Sequence, residues 1–91
     1  MAGTSMKHRE FLGEPIGNKP VTELPGIGRV LGDRLIQAGF DKAYTVLGMY
    51  LVLQKDEHRF TQWLKSTCNA SRKQASDCYN CLQQWTECFG V

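Results

Sequence analysis

No stretch of this chain stays apolar long enough to cross a bilayer, and no signal-peptide pattern opens it. Met1-Ala2-Gly3 lacks the glycine directly after the initiator that N-myristoylation requires. These absences lead us to expect a soluble intracellular protein, cytosolic or nuclear. Charge of one sign is also scarce: the formal net charge is only +2. Binding to a polyanion must therefore come from local placement of cations and not from a strongly basic whole. His8 and His58 have no partner at metal-ligand spacing and read as surface residues. Cysteine is absent until Cys68, after which Cys78, Cys81 and Cys88 follow. Cys78-x-x-Cys81 has zinc-ligand spacing. Yet Cys78, Cys81, Leu82, Trp85, Cys88 and Phe89 recur at threes and fours, as one stripe of a helix does. The thiols read better as small buried groups of a reduced compartment than as metal ligands or disulfides, so neither metal nor cofactor is expected.

What is present describes one ordinary globular domain over residues 1–91, 42% apolar and 22% charged, with a narrow stability margin. Residues 1–5 are small and polar and read as a mobile tail. Every element after them reads as helix. The first runs from Ser5 or Met6 to about Gly13, with Phe11 and Leu12 inward and Glu14-Pro15 as its stop. Thr22 is read as the N-cap of a very short helix. Further helices span Arg29 to about Ala38, ended by Gly39, and Lys42 to Leu53, capped by Asp41. Another runs from Asp56 to Cys68, with Phe60, Trp63 and Leu64 inward. Ser71 and Gln74 form a capping box that opens a last helix reaching about Phe89. The fold class is all-α, with five to six helices.

The most informative stretch is Leu24-Pro25-Gly26-Ile27-Gly28-Arg29-Val30-Leu31-Gly32-Asp33-Arg34-Leu35. Pro25 stiffens the entry to a tight turn. Gly26 and Gly28 reach φ values closed to other residues and leave no side chain in the way of a ligand. Ile27 between them can plug into the core while the backbone amides around it point outward. Those donors, with the positive end of the following helix dipole, suit a phosphate oxygen. The string resembles the helix-hairpin-helix DNA-binding motif, which holds one phosphodiester backbone without reading bases. Arg72 and Lys73 open the last helix and offer a second phosphate anchor of the same kind.

The helix from Lys42 to Leu53 has almost no polar face, because Ala43, Tyr44, Val46, Leu47, Met49, Tyr50, Leu51, Val52 and Leu53 all lie in it. A helix apolar all round requires cover all round. Either the domain's own helices wrap it, or a second copy covers one face; the small size of the domain favours a homodimer. Gly48 in its middle costs about 1 kcal/mol of helix propensity relative to Ala and permits close approach of another backbone.

The resemblance extends well beyond the hairpin. Lys7-His8-Arg9-Glu10-Phe11, Glu14-Pro15-Ile16-Gly17, Gly39-Phe40-Asp41-Lys42-Ala43-Tyr44, Val46-Leu47-Gly48, Lys55-Asp56-Glu57 and Asp77-Cys78-Tyr79-Asn80-Cys81-Leu82 follow the order and spacing of the barrier-to-autointegration factor family. From Lys7 to Phe89 the chain looks like a member of that family, of insect type or a diverged paralogue.

The resemblance implies a compact all-α homodimer around a helix-hairpin-helix (SAM-like) core at residues 22–35. It implies a non-enzymatic protein of the nucleus, at chromatin and the nuclear envelope, with a cytoplasmic pool. Each subunit would bind double-stranded DNA without sequence preference, so one dimer bridges two duplexes. Carried over by position, the DNA site comprises Gly26, Ile27, Gly28, Val30 and Leu31, mainly through backbone amides, with charge from Lys7, Arg34, Arg72 and Lys73. Leu47, Gly48, Met49 and Val52 would serve the dimer interface and the groove for LEM-domain proteins of the inner nuclear membrane. Lamin is a further implied partner. Thr4 and Ser5 match positions phosphorylated by vaccinia-related kinases, which releases the DNA.

Some residues depart from the family's pattern. Asp33 stands where relatives usually carry lysine or a neutral residue, Ser76 replaces a basic residue of vertebrate members, Met49 a glutamine, Gln54 a lysine and Thr86 a cysteine. Asp33 and the low net charge motivate an alternative: a dimeric adaptor that keeps the LEM groove and has weak or no DNA binding. A DNA-repair enzyme using the same hairpin is disfavoured, since no convergent acid–base set or room for a base pocket is evident. Replacing Gly26 or Gly28 by Glu is expected to abolish DNA binding while the fold survives.

Overall fold

The computed structural model describes residues 5–91. Among these there are five α-helices and one 3-10 turn, and no strand beyond an isolated antiparallel bridge between Pro20 and Lys42. Helix α1 is Met6–Leu12, the 3-10 turn is Val21–Glu23, α2 is Arg29–Gln37, α3 is Ala43–Val52, α4 is Glu57–Cys68 and α5 is Arg72–Phe89. Helices α1, α4 and α5 have side-chain caps at their starts. The Ser5 hydroxyl accepts from the His8 amide and the Asp56 carboxylate from the Arg59 amide. Ser71 and Gln74 make both bonds of the capping box. At the other ends, Asn69 (φ 60°) and Gly90 (φ 72°) take the left-handed conformation that closes a last turn.

Two capping expectations fail. Thr22 is not an N-cap: Pro20 precedes the 3-10 turn, and Thr22 lies inside it. Its methyl group lies against Gly32, where an added Cβ would come within 2.4 Å. That contact is why α2 carries a small residue at this point. Nor does the Asp41 side chain cap α3. Lys42 is the N-cap and no side-chain bond is made there. Asp41 acts through its backbone, its carbonyl accepting from Val21 N–H at 3.0 Å, while Lys19 C=O accepts from Ala43 N–H at 2.9 Å. These two bonds lash the segment before the hairpin to the start of α3.

The core is built round α5. Its inner face contributes Ala75, Cys78, Tyr79, Cys81, Leu82 and Trp85, against Phe11 of α1, Leu35 of α2, Val46 and Tyr50 of α3, and Phe60 and Leu64 of α4. Tyr50 and Phe60 meet edge to face with ring centroids 5.8 Å apart. Polar tips are satisfied: Tyr79 Oη–H donates to Lys55 C=O and Trp85 Nε1–H to Glu14 C=O. Leu12 and Trp63, read as inward, are only partly buried at the edge of this core.

The cysteine stripe divides. Cys68, Cys78 and Cys81 are buried, but Cys88 is exposed, because the end of α5 runs past the helices that cover its middle. Burial pushes the Cys81 thiol up to about 12, and raises Cys68 and Cys78 as well. These are protonated packing groups at neutral pH.

Candidate nucleic-acid interface

At the turn between the 3-10 segment and α2, the expectation that both glycines take φ values closed to other residues holds for Gly26 and fails for Gly28, whose φ is ordinary. Ile27 is fully buried, with its N–H bonded to Leu24 C=O at 3.0 Å. Gly26 sits at φ +83°, and a Cβ there would lie 2.3 Å from the backbone oxygen of Gln74. The turn is therefore pressed against the first turn of α5, and Gly26 is required for packing as well as for conformation. Gly28 differs: its φ is −94° and a Cβ would meet nothing within 4 Å. It is the exposed N-cap of α2, and no side chain caps the helix there. The first bond of the helix runs from Gly32 N–H to Gly28 C=O at 2.8 Å. The amides of Arg29, Val30 and Leu31 thus have no intrahelical acceptor and sit at the positive end of the α2 dipole.

Side chains around this turn take distinct roles. Val30 is exposed beside the free amides, whereas the Leu31 side chain turns into the core. Lys7 Nζ donates to Ile27 C=O at 2.7 Å, so α1 is tied directly to the apex of the hairpin. Partial burial lowers the Lys7 ammonium from its usual range, and Glu23 opposes that shift. Ser5, Lys7, Gly26 and Lys73 line one cleft of about 310 Å³, together with His8 and Asp77. The tail-proximal serine, the α1 lysine, the hairpin and the α5 start are thereby brought together. Thr4 lies outside the described residues.

The remaining cations are partly committed elsewhere. Arg34 Nη1–H donates to Cys68 C=O at 3.1 Å, closing the C-terminal end of α4. Lys73 makes an exposed i,i+4 ion pair with Asp77 at 3.1 Å, a contact of little energetic weight. Arg72 does not share the hairpin cleft. It lines a second cleft, of about 450 Å³, with His58 and Lys65 of α4. Consecutive residues on a helix point in different directions, and Arg72-Lys73 is split accordingly. Sequence reading missed Lys65 and the pairing partner Asp77. The i,i+4 spacing of Lys73 and Asp77 was a visible signal; the approach of Lys65 to Arg72 was not.

A second surface carries apolar exposure. On α3, Ala43, Val46, Leu47 and Tyr50 are buried, whereas Tyr44 (47% exposed), Leu51 (38%) and Val52 (70%) are not. Gly48 opens on to free space, and Met49 is half-buried. The helix is half wrapped by its own domain. Phe89, stacked on Trp85 at 4.7 Å between centroids, and Val91 are also exposed apolar residues, at the end of α5.

Comparison with known proteins adds the following. The family model described as barrier to autointegration factor matches residues 2–89. The barrier-to-autointegration factor of Drosophila melanogaster is 67% identical over 89 residues, covering 98% of this chain and 99% of that protein. The Homo sapiens protein of the same name is 58% identical over 86 residues, 94% of this chain and 97% of its own length. That of Danio rerio is 57% identical over 89 residues, 98% and 99% respectively.

Proposed function

Because this chain belongs to the barrier-to-autointegration factor family, we propose that it binds double-stranded DNA without sequence preference and, as a homodimer, bridges two duplexes. The observation that carries the reading is the α2 start: free amides of Arg29, Val30 and Leu31 at an uncapped, exposed glycine. Amides aimed at one phosphodiester rail hold backbone and carry no base information. Lys7 and Lys73 beside the hairpin add the charge, and each phosphate neutralised steepens the fall of affinity with salt by about 0.9 in log–log slope. No chemistry on the DNA is involved; the protein is a non-enzymatic linker.

The dimer is supported by the exposed apolar half of α3. Tyr44, Leu51 and Val52 would be covered by a second copy, with Gly48 allowing close approach of the two backbones. By the family resemblance, Leu47, Gly48, Met49 and Val52 also border the groove for LEM-domain proteins of the inner nuclear membrane, and lamin is a further partner. On this reading the protein works at chromatin and the nuclear envelope, with a cytoplasmic pool.

Control by vaccinia-related kinases at Thr4 and Ser5 belongs to the same proposal. Ser5 lines the cleft that holds Lys7, Gly26 and Lys73. A phosphate there brings close to two negative charges, which compete for Lys7 and repel the DNA backbone.

A dimeric adaptor without useful DNA affinity is the competing reading. It is favoured by Asp33, exposed on α2, and by the engagement of Arg34 with Cys68 C=O. A mobility-shift titration at moderate salt separates the two. Equal shifts with duplexes of unrelated sequence support DNA binding, and no shift at micromolar protein supports the adaptor.

A further inference from the structure

Resting on the DNA-binding reading above, we propose that the Arg29 side chain, which the family resemblance does not assign to the DNA site, supplies the free charge of the hairpin and pairs with a phosphate of the backbone that the α2 amides hold. The cations assigned to the hairpin by resemblance are engaged within the protein. Lys7 Nζ donates to Ile27 C=O at 2.7 Å, Arg34 Nη1–H donates to Cys68 C=O at 3.1 Å, and Lys73 pairs with Asp77. Arg29 is exposed and, among the described residues, in no ion pair. It holds the first position of α2, directly after the N-cap Gly28. The Cα–Cβ bond of a helical residue tilts toward the helix N-terminus. This side chain therefore leans to the side on which the unbonded amides of Arg29, Val30 and Leu31 open. Its guanidinium is a planar fork of donors that fits two oxygens of one phosphate.

The placement works against the fold. A cation at the positive end of a helix dipole is unfavourable, and α2 has no acidic residue in its first turn to offset it. Asp33 stands one turn further along the same face, also exposed, and makes no ion pair with Arg29. An acid four residues C-terminal to a base is the weaker order for such a pair. Nothing among the described residues therefore compensates Arg29 from within the protein. A local rule broken without an internal gain points to a functional position. The partner that relieves Arg29 and the open amides together is an anion with several oxygens, and a phosphodiester backbone presents these in a row.

The test joins two readouts on wild type, Arg29→Gln and Arg29→Lys: the salt dependence of duplex binding by fluorescence anisotropy, and the thermal melt. Arg29→Gln is expected to bind every duplex more weakly, with a log–log salt slope shallower by about 0.9, the share of one phosphate contact. Its melting temperature is expected to equal or exceed that of wild type, because the charge opposed by the helix dipole is gone. Arg29→Lys is expected to restore the slope, since the charge returns. A wild-type slope in Arg29→Gln overturns the proposal and leaves the hairpin reading standing. A shallower slope accompanied by a lower melting temperature assigns Arg29 a structural role and also overturns it. So does a loss confined to one duplex sequence, which would assign Arg29 to a base edge. Wild-type protein that shows no salt-dependent duplex binding removes the hairpin reading and this one together.

Discussion

Gly26→Ala is the sharpest perturbation of the hairpin. At φ +83° any L-residue is in the left-handed region, at a cost of about 1–2 kcal/mol. The added Cβ would also stand 2.3 Å from the Gln74 oxygen, 3.1 Å from its carbonyl carbon and 3.3 Å from its Cα. All three are backbone atoms of a long helix, so no side-chain rotation relieves the clash. Forcing a carbon into such a site adds about 1–3 kcal/mol. The sum, about 2–5 kcal/mol, translates to a loss of roughly 10 °C or more in Tm for a domain of this size. Gly28→Ala is the matched control, since its φ of −94° suits alanine and its Cβ meets nothing. It is expected to melt within a few degrees of wild type. Circular dichroism melts of the three proteins decide the matter. If Gly26→Ala melts with wild type, or Gly28→Ala is the less stable, the packing of the hairpin on α5 is not as described. The same contrast corrects the expectation that glutamate at either glycine spares the fold: only Gly28→Glu is a clean probe of binding.

Other outcomes are open to direct measurement. Lys7→Met removes the 2.7 Å bond to Ile27 C=O and is expected to lower stability by about 1 kcal/mol in urea unfolding, with weaker DNA binding besides. In native protein a thiol reagent is expected to label exposed Cys88 rapidly, and Cys68, Cys78 and Cys81 only on unfolding; fast labelling of a second thiol would refute the core assignment. The buried thiols also set a pH dependence. Their folded pKa values lie above the ordinary 9.0, with Cys81 at about 12. The unfolded chain therefore releases these protons first, so stability is complete below about pH 9 and falls as pH rises toward 12. A urea midpoint that is flat or rising across that window contradicts this. Val52→Asp, at a 70% exposed position of α3, is expected to shift sedimentation from dimer to monomer without loss of helical signal.

Much of the helical outline was legible because start and stop signals are local. Asp56, Ser71 with Gln74, and Gly39 each act within a turn of their own position: α4 and α5 begin where Asp56 and Ser71 direct, and α2 ends just before Gly39. The failures came where a local signal was outcompeted by a distant contact. Thr22 has N-cap chemistry, but its methyl is needed against Gly32. Asp41 has it too, but its backbone is engaged by Val21. Cys88 fits the helical stripe of Cys81 and Trp85, yet periodicity does not reveal where neighbouring helices stop covering α5. At the candidate site, the glycine pattern pointed to the turn and its outward amides. The bond from Lys7 to Ile27 C=O, the use of Arg34 to close α4 and the separation of Arg72 from Lys73 depend on tertiary approach, which no spacing encodes.

The central claim is that main-chain amides at the start of α2 hold the DNA backbone. Titrating isotope-labelled protein with short duplexes and following backbone amide resonances addresses it directly. The account expects the amides of Gly28, Arg29, Val30 and Leu31 to shift together and most strongly, to the same extent with duplexes of unrelated sequence. Amides that stay in place while resonances elsewhere move, or shifts that depend on the sequence of the duplex, would contradict it.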